Sequence, residues 1–167
     1  MRRKPFSAIF LLIFSLLLSC NQPAAVEQAA GYNAVLRVID GDTFVIDDGT
    51  TKNGTKIRLI GVDAPESRKT DHEDVQFYGK EAKEFLKHFL EGKQVRLEYD
   101  VEHHDKYGRT LAYVYLPDGT FINAYLIQQG YANVMTIPPN VTYADSFVLL
   151  QREAREAKRG MWSEPVL

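Results

Sequence analysis

The chain has 167 residues, 45% of them hydrophobic and 25% charged, with a formal net charge of −2 and a single cysteine. Once an N-terminal leader is set aside, the remainder suits one domain with a core of its own, and the lone cysteine excludes an internal disulfide, so that core must supply the stability. Without the leader's three basic residues, 17 Lys and Arg face 22 Asp and Glu, which excludes the broad basic face of a charge-driven nucleic-acid binder.

Arg2, Arg3 and Lys4 precede an apolar run from Phe6 to Leu18, the layout of a secretory leader and too short for a comfortable transmembrane helix. Leu17-Leu18-Ser19-Cys20 matches the lipobox of bacterial lipoproteins. Residues 1–19 are therefore expected to be a signal peptide, cleaved before Cys20, whose acyl chains anchor the protein to the envelope at about 0.8 kcal/mol per buried methylene. Asn21 does not signal inner-membrane retention, so in a two-membrane cell the outer membrane is expected. Residues 20–32, containing NQPAAVEQAAG, read as a flexible tether, and 33–165 as the folded domain.

The run TFVIDD leaves Asp42 as an alternating strand, DDGTTKNGT reverses the chain, and KIRLIGV returns as a second strand ending at Asp63. This hairpin puts Asp42 and Asp63 at one end, where two carboxylates repel unless a cation lies between them. Pro65 stops the strand and bends the chain, so that Glu66 turns back toward the same end. Arg58 sits mid-strand among Ile57, Leu59 and Ile60, where a guanidinium needs an anionic partner, and its fork matches phosphate oxygens two at a time.

In FYGKEAKEFLKHFLEG, Tyr78, Ala82, Phe85, Leu86, Phe89 and Leu90 recur at helical spacing, with Gly92 as a stop. KQVRLEYD alternates as a strand. His103 and His104 are adjacent on an extended segment and so point opposite ways, which argues against joint chelation of one ion. In DKYGR, glycine permits a tight turn ahead of Arg109, which opens the strand TLAYVYL and can point across the mouth of a barrel. A short helix, INAYLIQQ, ends at Gly130, and a longer one runs from about Tyr143 to Arg159. Strands interleaved with helices fit a small α+β barrel of more than one kind.

The ordered set DGDT, IRLIGVDAPE, YGKEA, DKYGR-x-LAYVY, N-A-x-L-x-x-G-x-A and a closing W-S-E resembles the thermonuclease, or staphylococcal-nuclease-like, family from about Val35 to Glu164. The resemblance implies an α+β fold that is mainly β, a five-stranded OB-type barrel carrying three helices. It implies Asp42 and Asp63 as metal ligands with the carbonyl of Ala64, where members often have threonine, and Glu66 as the base that activates or orients water. Arg58 and Arg109 would bind the phosphate and stabilise its growing charge, and Lys106 and Tyr107 match positions that contact a substrate phosphate. The ion implied is calcium; oxygen ligands alone say only a hard cation, with magnesium or manganese as poorer occupants. The substrate would be DNA, RNA or both, cut with little sequence preference to leave a 3′-phosphate, by a protein expected to act as a monomer.

One departure stands out. Where the family's best-known member has two tyrosines against the nucleotide, this chain reads Asn133, Val134, Met135, Thr136, Ile137, Pro138, and roughly 1–3 kcal/mol of base stacking is missing unless Tyr131 or Tyr143 compensates. Read singly, Asp42 is a turn former and Arg58 half of an internal ion pair. The competing function is a non-catalytic OB-fold module that captures nucleic acid.

Overall fold

A computed structural model describes residues 31–69 and 74–163. The signal peptide, Cys20 and all but the end of the tether lie outside the described residues, as do 70–73 and the final four positions. Among the described residues no helix is long and apolar enough to cross a membrane.

Five strands close a barrel in the order β1, β2, β3, β6, β5. They are β1 (Asn33–Asp40), β2 (Thr43–Asp47), β3 (Thr55–Leu59), β5 (Gln94–Glu98) and β6 (Thr110–Tyr115), with β4 (Gly61–Asp63) and β7 (Asn133–Met135) forming a small separate sheet. All barrel pairings are antiparallel except β3 with β6. Phe44 and Ile46 from β2, Ile57 and Leu59 from β3, and Ala112 and Val114 from β6 belong to the buried core; burial alternates in β3, whereas Val45 of β2 and Tyr113 of β6 are buried as well. Closure removes exposed sheet edges.

The helices cover this barrel. Helix α1 (Gly79–Leu90) buries Ala82, Leu86 and Leu90, one face at four-residue spacing, against β1. Helix α2 (Ile122–Gln128) packs on α3 (Ala144–Glu156), which is followed by a 3-10 turn at Gly160–Trp162. The α+β barrel with three helices matches expectation, and α3 is shorter than the expected span to Arg159.

The returning strand is not continuous. KIRLIGV breaks after Leu59, because Gly61 adopts φ +76 and lies so near the Phe147 ring that a Cβ would come within 2.6 Å of it. Beyond the break the chain leaves the barrel and pairs Asp63 with Asn133. Buried Asn123 holds the kink: its Nδ2 donates to the Ile60 carbonyl at 2.9 Å, and its Oδ1 accepts from the Val114 N–H at 3.0 Å. Asp42 and Asp63 therefore do not meet as the two ends of one simple hairpin.

Candidate active site

The kinked segment opens onto a cleft of about 990 Å³, lined by Asp40, Asp42, Arg58, Asp63, Glu66, Asp105, Lys106, Tyr107 and Arg109 among others. Arg58 is its organising group. Register pairs it with Thr43, next to Asp42, and the kink brings Asp63 back over it. Nη1 lies 2.6 Å from Asp42 Oδ2, Nη2 lies 3.1 Å from Asp63 Oδ1, and Nη1 also donates to the Val62 carbonyl at 2.6 Å. The anionic partners that a mid-strand arginine demands are thus these two carboxylates. A shared guanidinium, rather than strand register alone, holds them together.

Asp42 is 7% exposed. Its Oδ1 accepts from the Thr43 hydroxyl at 2.9 Å and its Oδ2 from the Ala64 N–H at 3.0 Å. Burial pushes its carboxyl above the ordinary range, and Arg58, the Ala64 N–H and the Thr43 hydroxyl only partly offset this. Asp63, across the guanidinium, is more open, with a side chain 40% exposed.

Glu66 follows Pro65 out of the sheet and reaches the cleft. Its backbone is clasped from the other side: the Gln76 N–H donates to the Glu66 carbonyl at 3.0 Å, and Gln76 Oε1 accepts from the Glu66 N–H at 3.2 Å. Gly79 presses on the same carbonyl so tightly that a methyl group there would overlap it.

Just before β6, Arg109 Nε donates to Asp105 Oδ2 at 2.6 Å, and Asp105 Oδ1 accepts from the N–H groups of Tyr107 and Arg109. Burial works against the charged form of Asp105, and these hydrogen bonds outweigh it, holding the carboxyl below its ordinary range. The exposed Tyr107 ring has Lys106 Nζ 5.0 Å from its centroid and the Arg109 guanidinium at 5.5 Å. His104 lines the cleft, whereas His103 stacks on Tyr99 at 4.9 Å.

The donor chemistry fits a hard cation. Two carboxylates on one guanidinium retain a negative charge, and their ligand atoms are all oxygen. Across the lining six acids, Asp40, Asp42, Asp63, Glu66, Glu102 and Asp105, outnumber five bases, Lys56, Arg58, Arg68, Lys106 and Arg109. A phosphodiester entering this cleft needs an added positive charge. Among the described residues no three or more His, Cys, Asp or Glu side chains converge as a metal cluster, so a cation here would rely on two carboxylates, a carbonyl and water.

A family model described as staphylococcal nuclease homologue matches residues 56–164. The chain belongs to the staphylococcal-nuclease-like family. It is 45% identical over 130 residues to the thermonuclease of Staphylococcus hyicus, covering 77% of this chain and 74% of that protein. It is 48% identical over 129 residues to the thermonuclease of Staphylococcus intermedius, with the same two coverages. An uncharacterized endonuclease of Escherichia coli is 37% identical over 135 residues, 80% of this chain and 78% of that protein.

Against the family pattern, neither tyrosine raised as a substitute for the missing pair reaches the cleft. Tyr131 stacks on Phe85 at 3.9 Å, and Tyr143 packs on Tyr113 and Phe121 while its hydroxyl donates to Glu98. Met135, Ile137 and Asn140 occupy that wall instead. Three acids that sequence reading passed over, Asp40, Glu102 and Asp105, also line the cleft. Asp40 is the first acid of the same DGD motif, a signal already in view, whereas Asp105 becomes legible only once Arg109 is seen folded back on it.

Proposed function

We propose that the protein is a divalent-cation-dependent nuclease that hydrolyses phosphodiester bonds of DNA, RNA or both, with little sequence preference. The observation that carries this is the single guanidinium of Arg58 holding Asp42 and Asp63 together in a cleft that Glu66 and Arg109 also line.

Asp42, Asp63 and the Ala64 carbonyl would hold a divalent ion, calcium on the family's pattern, which when bound would add positive charge beside the phosphate and make water easier to deprotonate. Arg58, with Nη1 taken up by Asp42 and the Val62 carbonyl and one Nη2 hydrogen by Asp63, has Nε and the second Nη2 hydrogen to offer the phosphate. Arg109, steadied through Nε by Asp105, presents its η nitrogens too, and both offset the charge that grows on the phosphoryl oxygens. Glu66 takes the proton of the attacking water, whose oxygen bonds to phosphorus as the bond to the 5′-oxygen breaks; the 5′-oxygen takes a proton from solvent, leaving a 3′-phosphate and a 5′-hydroxyl. Lys106 and Tyr107 hold a neighbouring phosphate. A non-catalytic binding module is the weaker reading, because six acids in the cleft repel the anion such a module would have to retain.

The reading is tested by incubating single-stranded DNA and RNA with calcium, with magnesium and with chelator, then mapping product ends with a phosphatase. Calcium-dependent fragments of either bearing 3′-phosphates support it, and both polymers intact under all three conditions reject it. Lipid anchoring through Cys20 in a bacterial envelope completes the proposal. Replacing Cys20 with alanine is expected to release the protein from the membrane fraction, and persistent anchoring would reject the lipobox.

A further inference from the structure

Gln76 to Gly79 form a tight turn, closed by the Gly79 N–H donating to the Gln76 carbonyl at 3.2 Å, and both ends of this turn bear on the backbone of Glu66. The two residues at its tip are Phe77 and Tyr78. Tyr78 adopts φ +67, a left-handed conformation that costs a bulky residue about 1–3 kcal/mol and persists only where its surroundings enforce it. Here the Tyr78 ring packs on Tyr131 at 5.7 Å, and Tyr131 stacks on Phe85 of α1 at 3.9 Å. Phe77 rests against the end of this row, 5.8 Å from Tyr78, and is 67% exposed.

We infer that Phe77 is a substrate-engaging residue that stacks on an unpaired base flanking the scissile phosphate, on the Glu66 side of the cleft. The inference rests on the nuclease reading above. A lone exposed phenylalanine is ordinary on a protein surface; this one is rigidly backed by other rings and tied through its turn to the proposed general base. Arg68, two residues beyond Glu66, lines the cleft. Aromatic faces on which bases stack, with cations that track the backbone, bind single-stranded nucleic acid without reading sequence. It also supplies stacking in a chain whose other cleft wall carries Met135 and Ile137 in place of aromatic rings.

The test is steady-state kinetics of the full chain with calcium on two substrates, a single-stranded decanucleotide and a phosphodiester of one nucleoside with no flanking base. Phe77→Ala is expected to raise KM for the decanucleotide about fivefold to about 150-fold, the range set by one base stack. It should leave kcat within about twofold and the small substrate untouched, and Phe77→Trp should restore the parent KM. An unchanged KM for Phe77→Ala, or an equal loss on both substrates, would overturn the assignment, the latter by placing its effect on Glu66 alone. If the parent cut neither substrate, the nuclease reading itself would be lost, a result distinct from a failure of Phe77.

Discussion

Arg58 Nη1 stands 2.6 Å from Asp42 Oδ2, and the same guanidinium reaches Asp63. The residue assigned to the phosphate is therefore also the residue that holds the two proposed metal ligands, so the three act as a unit. Their substitutions should not be additive.

Asp42→Ala removes the buried carboxylate of this unit and leaves Arg58 with Asp63 alone. Calcium affinity is expected to fall at least about tenfold, equivalent to about 1.4 kcal/mol, read by isothermal titration. Equal titration curves for variant and parent would refute the ligand role of Asp42.

Glu66→Gln keeps the shape of the side chain and both backbone hydrogen bonds to Gln76. A drop in kcat of about 10²–10⁴ is expected with cation affinity largely intact. An unchanged rate would take Glu66 out of the mechanism.

Gly79→Ala places a methyl group on the Glu66 carbonyl, so the 64–66 segment must shift or the start of α1 must give way. Turnover is expected to fall about tenfold to a hundredfold through misplacement of Glu66, with a lower melting temperature. Wild-type kcat in this variant would show that the clasp does not position the base.

Asp105 is an aspartate whose folded pKa is lowered, so its contribution to stability is present above the unfolded value and is lost as pH falls through the folded value. The parent should lose this contribution in the acid range. Asp105→Asn is expected to be less stable near neutrality by about 1 kcal/mol and flatter with pH in that window, read by urea unfolding at several pH values. Identical pH slopes for the two proteins would contradict the assignment.

The sequence carried the strands with apolar residues at every second position. Phe44 and Ile46, Ile57 and Leu59, and Ala112 and Val114 are all buried, although Val45 and Tyr113 between them are buried too. Strand β1 escaped, because its register with β2 shifts between Val35 and Arg37 and again between Val38 and Asp40, which destroys the period-2 pattern. The β4–β7 pair escaped because each strand has three residues, too few to alternate visibly. At the site, the residue types and their order were legible, and so was the need of Arg58 for an anion. That its partners are Asp42 and Asp63 depends on the kink at Gly61 and its pin at Asn123, which are tertiary facts. The rings of Tyr131 and Tyr143 are placed only by tertiary neighbours, Phe85 of α1 for the first and Tyr113 of β6 with Phe121 for the second.

The most direct measurement is calcium-dependent cleavage of single-stranded DNA by the purified protein beside its Arg58→Ala variant. Removing one preorganised donor from a transition state of this kind costs about 10²–10³ in kcat, and loss of the shared counter-ion also disturbs both carboxylates. The expected result is robust cutting by the parent that chelator abolishes and that Arg58→Ala loses by at least about a hundredfold. Cutting at parental rate by Arg58→Ala would contradict a site organised around that guanidinium.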